Sequence, residues 1–244
     1  VGALELDRMT WPEVRGELER GRDTVVVAFG ATEQHGPHMP LATDALLGDH
    51  MARAVAEQLD AFVAPTVRIG CSEHHLDFPG TLSLSEATFR ALVGDVVRSL
   101  ARGGFRRVVL LPTHGGNFAP LAAAVADLEG SAEIEVRALT DLGALFAVAQ
   151  CGADEYGVPL GEGGLHAGEW ETSMLMAIHP ELVRAERFES GYTGEAQQAV
   201  SAMFAAGVKS IAQNGVVGDP ARASAEHGER YWREALAIVG AQTS

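Results

Sequence analysis

Four stretches of this chain combine imidazole and carboxylate groups at spacings that could hold metal. The first is Glu33-Gln34-His35-Gly36-Pro37-His38, followed by Asp44. Glu33 and His35 are two apart, so along an extended backbone both side chains leave from one face. The second, Ser72 to Thr81, carries His74 and His75. The third, Pro112-Thr113-His114-Gly115-Gly116-Asn117, sets a histidine beside glycines that let a ligand approach the backbone. In the fourth, Gly161 to Ser173, a glycine-rich loop delivers His166, Glu169 and Glu171 to the start of a helix. Residues two apart on a helix point about 200° apart, so only one of these glutamates can reach a shared site.

Taken singly, each stretch has an ordinary explanation. Glu-x-His suits a polar loop and Gly-Gly-Asn a turn, Phe78 could anchor a surface loop, and helix-start glutamates meet the macrodipole. Taken together they point to a metal site of nitrogen and oxygen ligands. Five of the nine histidines, namely His35, His38, His75, His114 and His166, lie in loops that one topology could bring to the same side. Three carboxylates in one pocket would repel each other unless cations sat among them. Two divalent ions balance three carboxylates and a bridging hydroxide, which suits two-metal hydrolysis.

The elements that must position these loops read as an α/β pattern. Thr24 to Phe29, Ala61 to Pro65 and Arg107 to Leu111 are short continuous apolar runs, typical of strands buried on both faces of a parallel sheet. A weaker run spans Glu133 to Leu139. Helical patterns run from Trp11 to Glu19 behind the capping box Thr10 to Glu13, and from Ala45 to Leu59. Others run from Glu86 to Arg102 behind a capping box from Ser83 to Glu86, and from Ala119 to Leu128. Later ones lie near Glu169 to Ile178 and Pro220 to Val239. Strands alternating with helices predict a three-layer α/β/α sandwich around a mostly parallel sheet, with the site beyond the strand carboxyl ends.

Composition bounds the partners. The chain has 244 residues, 47% hydrophobic and 21% charged, which excludes disorder and low-complexity architectures and leads us to expect one domain over residues 1–244. Its 18 basic residues against 33 acidic ones disfavour nucleic acid, and Lys209 is the only lysine. No apolar run approaches the roughly 18 residues of a membrane span, and the first residues lack a signal-peptide pattern, so a cytoplasmic protein without a membrane partner is expected. Cys71 and Cys151 have no CxxC spacing, so any metal must be held by nitrogen and oxygen.

The motifs Gly30-Ala31-Thr32-Glu33-Gln34-His35-Gly36-Pro37-His38 with Asp44, His75 to Thr81, His114 to Asn117 and His166 to Ser173 resemble the creatininase (creatinine amidohydrolase) family of metal-dependent amidohydrolases. The match spreads from Val25 to about Pro180. The resemblance implies an α/β/α sandwich, assembly as a homo-oligomer, often a hexamer, and two divalent ions per subunit, zinc, manganese or iron. By it, Glu33 and His114 bind one metal, His35 and Glu171 the other, and Asp44 bridges them. Glu169 then supports the centre without ligating. His166 becomes the proton carrier and His75 a neighbour of the substrate.

Creatininase itself has Tyr and Glu where this chain has Gly115 and Gly116, which widens the substrate side here. It also carries a tryptophan where this chain has Glu162. The resemblance therefore implies hydrolysis of an amide, cyclic amide or formamide of a small molecule other than creatinine. The His-Gly-Gly-Asn form occurs also in relatives that remove formyl groups in flavin and deazaflavin synthesis and in the peptidase that trims the mycofactocin precursor. Trimming of a short peptide is thus the alternative. A metal-binding protein without catalysis is a third reading, and it would not need His166.

Overall fold

The computed structural model describes residues 2–130, 133–141 and 143–243. In chain order the elements are β1 (Leu4–Glu5), α1 (Trp11–Glu19), β2 (Thr24–Phe29), α2 (Thr43–Gln58), β3 (Phe62–Val63), α3 (Glu86–Arg102), β4 (Arg107–Pro112) and α4 (Phe118–Leu128). Then follow β5 (Glu135–Ala138), α5 (Gly143–Tyr156), the single turn α6 (Leu160–Gly163), α7 (Glu169–Ile178), α8 (Ala196–Ala206) and α9 (Ala225–Thr243). The strands form one sheet in the order β1-β3-β2-β4-β5, every pair parallel.

Side chains alternate across this sheet as the apolar runs require. Val26, Ala28, Val109 and Leu111 face a layer built from α2, α5, α7 and α9. Val25, Val27, Phe29, Val108 and Leu110 face the opposite layer, where Phe89, Val93 and Val97 of α3 meet Leu121 and Leu128 of α4. The expected three-layer α/β/α sandwich is therefore present. At its centre β2 and β4 lie side by side, and their following helices leave to opposite faces. That divergence opens the crevice beyond the strand carboxyl ends in which such sheets hold ligands.

Several boundaries shift from the sequence expectation. The capping box before α1 forms as read, but α3 is capped by Ser85, which accepts from Thr88 N, and not by Ser83. Ser83 Oγ is instead taken by the backbone N–H of Ser72 at 2.9 Å. The closing helix begins at Ala225 because Pro220–Arg222 forms a separate 3-10 turn capped by Asp219, and Ala223 then runs extended. The strand β1 and helices α5 and α8 were not anticipated. A small cluster of Met203, Val208, Ala212 and Val217, with Phe78 and Leu165 beside it, seats α8 over the loops at the sheet's carboxyl edge. Among the described residues no helix is long and apolar enough to cross a membrane.

Candidate metal centre

The chain after β2 stays extended through a bridge between Thr32 and Leu82, and this sends Glu33 and His35 to the same side. Gly30 lets α2 start against the end of β2: a Cβ there would lie 2.7 Å from Ala45 Cα. The close approach brings in Asp44, in the first turn of α2, and Thr113 Oγ1 fixes it by donating to the Asp44 carbonyl at 2.7 Å. At the end of β4, Asn117 ties three segments together. Its amide donates to the Phe29 and Gly30 carbonyls at 2.9 and 3.0 Å and accepts from Cys71 N at 2.9 Å. His114 is thereby held beside Asp44.

His166 is placed by pairing of its segment with Val217, whose N–H donates to the His166 carbonyl at 2.9 Å. Ala167 follows in a left-handed conformation, φ 53°, which costs a non-glycine residue on the order of 1–2 kcal/mol. That turn directs the Ala167 N–H to Glu171 Oε2 at 2.6 Å and leaves Oε1 facing His35 at 3.6 Å. Glu169 points away from the centre. It accepts from Tyr231 at 2.8 Å and Ser173 at 2.9 Å and pairs with His227 at 2.7 Å, which clamps α7 to α9.

The donor atoms that remain converge. His35 Nε2 lies 3.3 Å from Asp44 Oδ1, and His114 Nδ1 lies 3.2 Å from Asp44 Oδ2 and 3.3 Å from Glu33 Oε1. His75 Nε2 and His166 Nδ1 approach the same Glu33 oxygen at 3.4 and 3.7 Å. Three sets of possible ligands emerge, Glu33-His35-Asp44, His35-His166-Glu171 and Glu33-His75-His166, each with its ligand atoms within 4.8 Å of one another. Both Glu33 oxygens, His35 Nε2 and Asp44 Oδ2 are buried without a hydrogen-bond partner. Buried polar atoms are rarely left so, and a cation would satisfy all four.

The imidazole tautomers agree with that role. His35 Nδ1 donates to the Glu33 carbonyl at 3.1 Å, and His114 Nε2 donates to the Cys71 carbonyl at 3.1 Å. Each therefore turns its other nitrogen to the carboxylates, where it is free to bind a metal ion, the arrangement that metal-ligating histidines adopt. Charge tells the same story. Burial opposes a charge on His35 and on His114, yet Asp44 and Glu171 around the first, and Glu33 and Asp44 around the second, raise both well above the ordinary histidine value. Burial likewise opposes ionisation of Asp44, and His35 and His114 outweigh it, so this carboxylate is held down. The carboxylates draw protons onto the imidazoles where metal ions would otherwise supply the positive charge. The residues present fit a centre of divalent cations.

Beside this cluster opens a cleft. Glu33, Asp44, His114, His166 and Glu171 form its floor, whereas its walls are apolar, with Phe146, Trp170, Met203, Phe204 and Trp232 prominent. No lysine or arginine lines it among the described residues.

Every ligand expected from the sequence, Glu33, His35, Asp44, His114 and Glu171, is thus brought together, with His75 and His166 beside them. His38 is not part of the group: it is buried elsewhere, its Nε2 paired with Thr172 Oγ1 at 3.0 Å. The two glycines differ from each other, and only Gly115 matches the expectation. Gly115 opens on the cavity with no atom near its missing side chain, but a Cβ at Gly116 would meet the Cys71 carbonyl at 2.3 Å. The space at Gly116 is therefore filled by backbone and gives the cavity no extra width. Sequence reasoning also missed the aromatic walls and Gln34, which sits between His75 and His166.

A parallel α/β/α sandwich with a buried cluster of nitrogen and oxygen donors at its switch point defines a class, the α/β proteins built to hold metal at the strand carboxyl ends. Within it, residues 7–241 match the family model for creatininase, described as creatinine amidohydrolase, and the chain belongs to the creatininase family. It is 36% identical over 218 residues, 86% of this chain and 80% of the other, to a protein named mycofactocin precursor peptide peptidase from Mycolicibacterium smegmatis (strain ATCC 700084 / mc(2)155). A solved creatininase described with Mn is 28% identical, with TM-score 0.82 and 98% and 97% of the two chains covered. A solved creatininase variant of Zn-Zn type is 27% identical, with TM-score 0.77 and 99% and 97% of the two chains covered.

Proposed function

We propose that this chain is a hydrolase that uses two divalent ions to cleave an amide carbon-nitrogen bond. The observation that carries this reading is the convergence of partnerless Glu33, Asp44 and His35 atoms on one buried point at the floor of a cavity. Glu33 and His114 would hold one ion, His35 and Glu171 the other, with Asp44 between them. Nitrogen and oxygen donors suit zinc, manganese or iron. Bound there, such ions lower the pKa of water and polarise a carbonyl. His166 lines the cavity with its Nδ1 turned to the centre, whereas its Nε2 donates to the Gln34 carbonyl at 2.7 Å. That Nδ1 takes the proton released by the attacking water and passes it to the departing nitrogen. As the new carbon-oxygen bond forms and the carbon-nitrogen bond breaks, the products are a carboxylate and an amine.

Two substrate readings follow from the same chemistry. The first is a small cyclic amide or formamide. The second, cleavage of a short peptide beside an apolar residue, is favoured by the aromatic and methionine walls and by the name of the 36% identical relative. Metal-loaded protein assayed against creatinine, N-formyl amines and short peptides with aromatic residues near the C-terminus separates them. Peptide cleavage with creatinine left intact is the expected result. Efficient creatinine turnover, at kcat/KM of about 10⁴ M⁻¹s⁻¹ or more, would overturn the substrate reading, and no hydrolysis of any amide would overturn the enzyme reading.

A further inference from the structure

Gln34 lies between the expected ligands Glu33 and His35 in sequence, yet its side chain turns the other way. The residue is 5% exposed, and its amide touches two imidazoles at once: Nε2 lies 2.9 Å from His75 Nδ1 and 2.9 Å from His166 Nε2. The orientation of the amide is set by the backbone. Gly36 N donates to Oε1 at 2.9 Å, and Nε2 donates to the Gly215 carbonyl at 3.0 Å, so a flipped amide would break both bonds.

One proton remains on Nε2 for two candidate nitrogens. His166 Nε2 also lies 2.7 Å from the Gln34 carbonyl oxygen, which can only accept. It must therefore carry its own hydrogen and cannot accept from the Gln34 amide. The remaining amide proton goes to His75 Nδ1. His75 then carries its hydrogen on Nε2, the nitrogen that faces Glu33 Oε1 at 3.4 Å. A hydrogen on His75 Nδ1 instead would set two N–H groups against each other at 2.9 Å.

We infer that Gln34 is the positioning residue that sorts these imidazoles into opposite roles, its carbonyl leaving His166 with a lone pair toward the cavity and its amide leaving His75 with an N–H. His166 then serves as the proton acceptor, and His75 as a hydrogen-bond donor to the Glu33 carboxylate or to a substrate oxygen that gains charge. The catalytic meaning rests on the hydrolase reading above. The hydrogen-bond assignment does not.

The test is nitrogen NMR of zinc-loaded protein carrying ¹⁵N in its histidines and glutamines. The expected result is an unprotonated His75 Nδ1 joined by scalar coupling to Gln34 Nε2, with hydrogen on His75 Nε2 and on His166 Nε2. Gln34→Met keeps the length but removes the donor. In that variant the His75 resonances should move as both tautomers populate, while His166 stays unchanged because its partner is the backbone. Metal content and KM should hold, and kcat should fall about 10- to 100-fold, as for other groups that orient an active-site side chain. A protonated His75 Nδ1 in the parent protein overturns the inference, and so does a His75 Nε2 without hydrogen, which would make His75 a ligand. If the variant fails to fold, the coupling in the parent protein still decides. Absence of amide hydrolysis with the coupling present would count against the hydrolase reading alone.

Discussion

Asp44 and His35 face each other at 3.3 Å, Oδ1 to Nε2, while the second oxygen of the same carboxylate lies 3.2 Å from His114 Nδ1. One side chain thus reaches both imidazoles. Glu33 faces His114 and Glu171 faces His35, so under the proposed two-ion assignment each serves one ion. Loss of Asp44 and loss of Glu33 should therefore differ in kind.

Asp44→Ala is expected to reduce bound metal from two ions per chain toward none, whereas Glu33→Ala should retain one ion. Elemental analysis after reconstitution with zinc or manganese checks this. If Asp44→Ala keeps both ions, the bridging assignment is wrong.

Metal should also stabilise the fold, since it relieves three carboxylates packed together out of water. Free metal at 100 times its Kd stabilises by about 2.7 kcal/mol per site. Chelator-treated protein should melt earlier, and restoring the ion should recover the Tm. An unchanged Tm on stripping would mean that the cluster holds no ion in the folded protein.

Proximity does not distinguish His166 from a ligand, because its Nδ1 reaches Glu33 as the ligand atoms do. Function distinguishes it. His166→Ala should keep its metal and lose activity by about 10²- to 10⁴-fold, the usual contribution of a proton carrier. Glu171→Ala should lose an ion and activity together. Parallel metal and rate measurements on the two variants make the comparison, and metal loss in His166→Ala would turn it into a ligand.

What the sequence disclosed and what it hid have physical causes. Thr24–Phe29 and Arg107–Pro112 are buried on both faces, so their apolar runs are unbroken and the chemistry that follows each is easy to locate. Helical geometry alone leaves Glu169 and Glu171 as alternatives, because both cannot reach the centre, and only the family resemblance names Glu171. The structure settles which does, through the left-handed turn at Ala167. Helix α8 was hidden because it caps a small cluster and leaves Phe204 61% exposed, so its apolar stripe has no clean polar counterface. Gln34 left no signal at all: an amide becomes informative only when its neighbours in space are known. The cavity walls combine Phe146, Phe204 and Trp232 from three helices far along the chain, and no local pattern links these to the β2 motif.

Glu169, two residues from Glu171, should behave as its opposite. It is buried with His227, Tyr231 and Ser173, so Glu169→Ala removes a carboxylate and leaves those partners unsatisfied. A loss of about 3 kcal/mol is expected in denaturant unfolding, as for breaking a buried pair by removing one partner. The variant that still folds should retain its metal. Unchanged stability together with lost metal would show that Glu169 belongs to the centre after all.

The last prediction concerns acid stability and His38. Burial pushes this histidine down to about 4, with the nearby His35 adding to the shift. Its Nε2 is paired with Thr172 and its Nδ1 has no hydrogen-bond partner, so the folded protein holds it neutral. In the unfolded chain it titrates near the ordinary value of about 6.5. Between those two values the unfolded state binds a proton that the folded state refuses. The stability contributed by neutral His38 is therefore complete above about pH 6.5 and is lost as pH falls toward 4. His38→Gln keeps a group that can reach Thr172 but does not titrate. The parent protein should lose about 3 kcal/mol more than this variant between pH 7 and pH 4, measured on metal-free samples so that metal release is not counted. Equal losses in the two proteins would show that His38 is already protonated in the fold or exchanges freely with water.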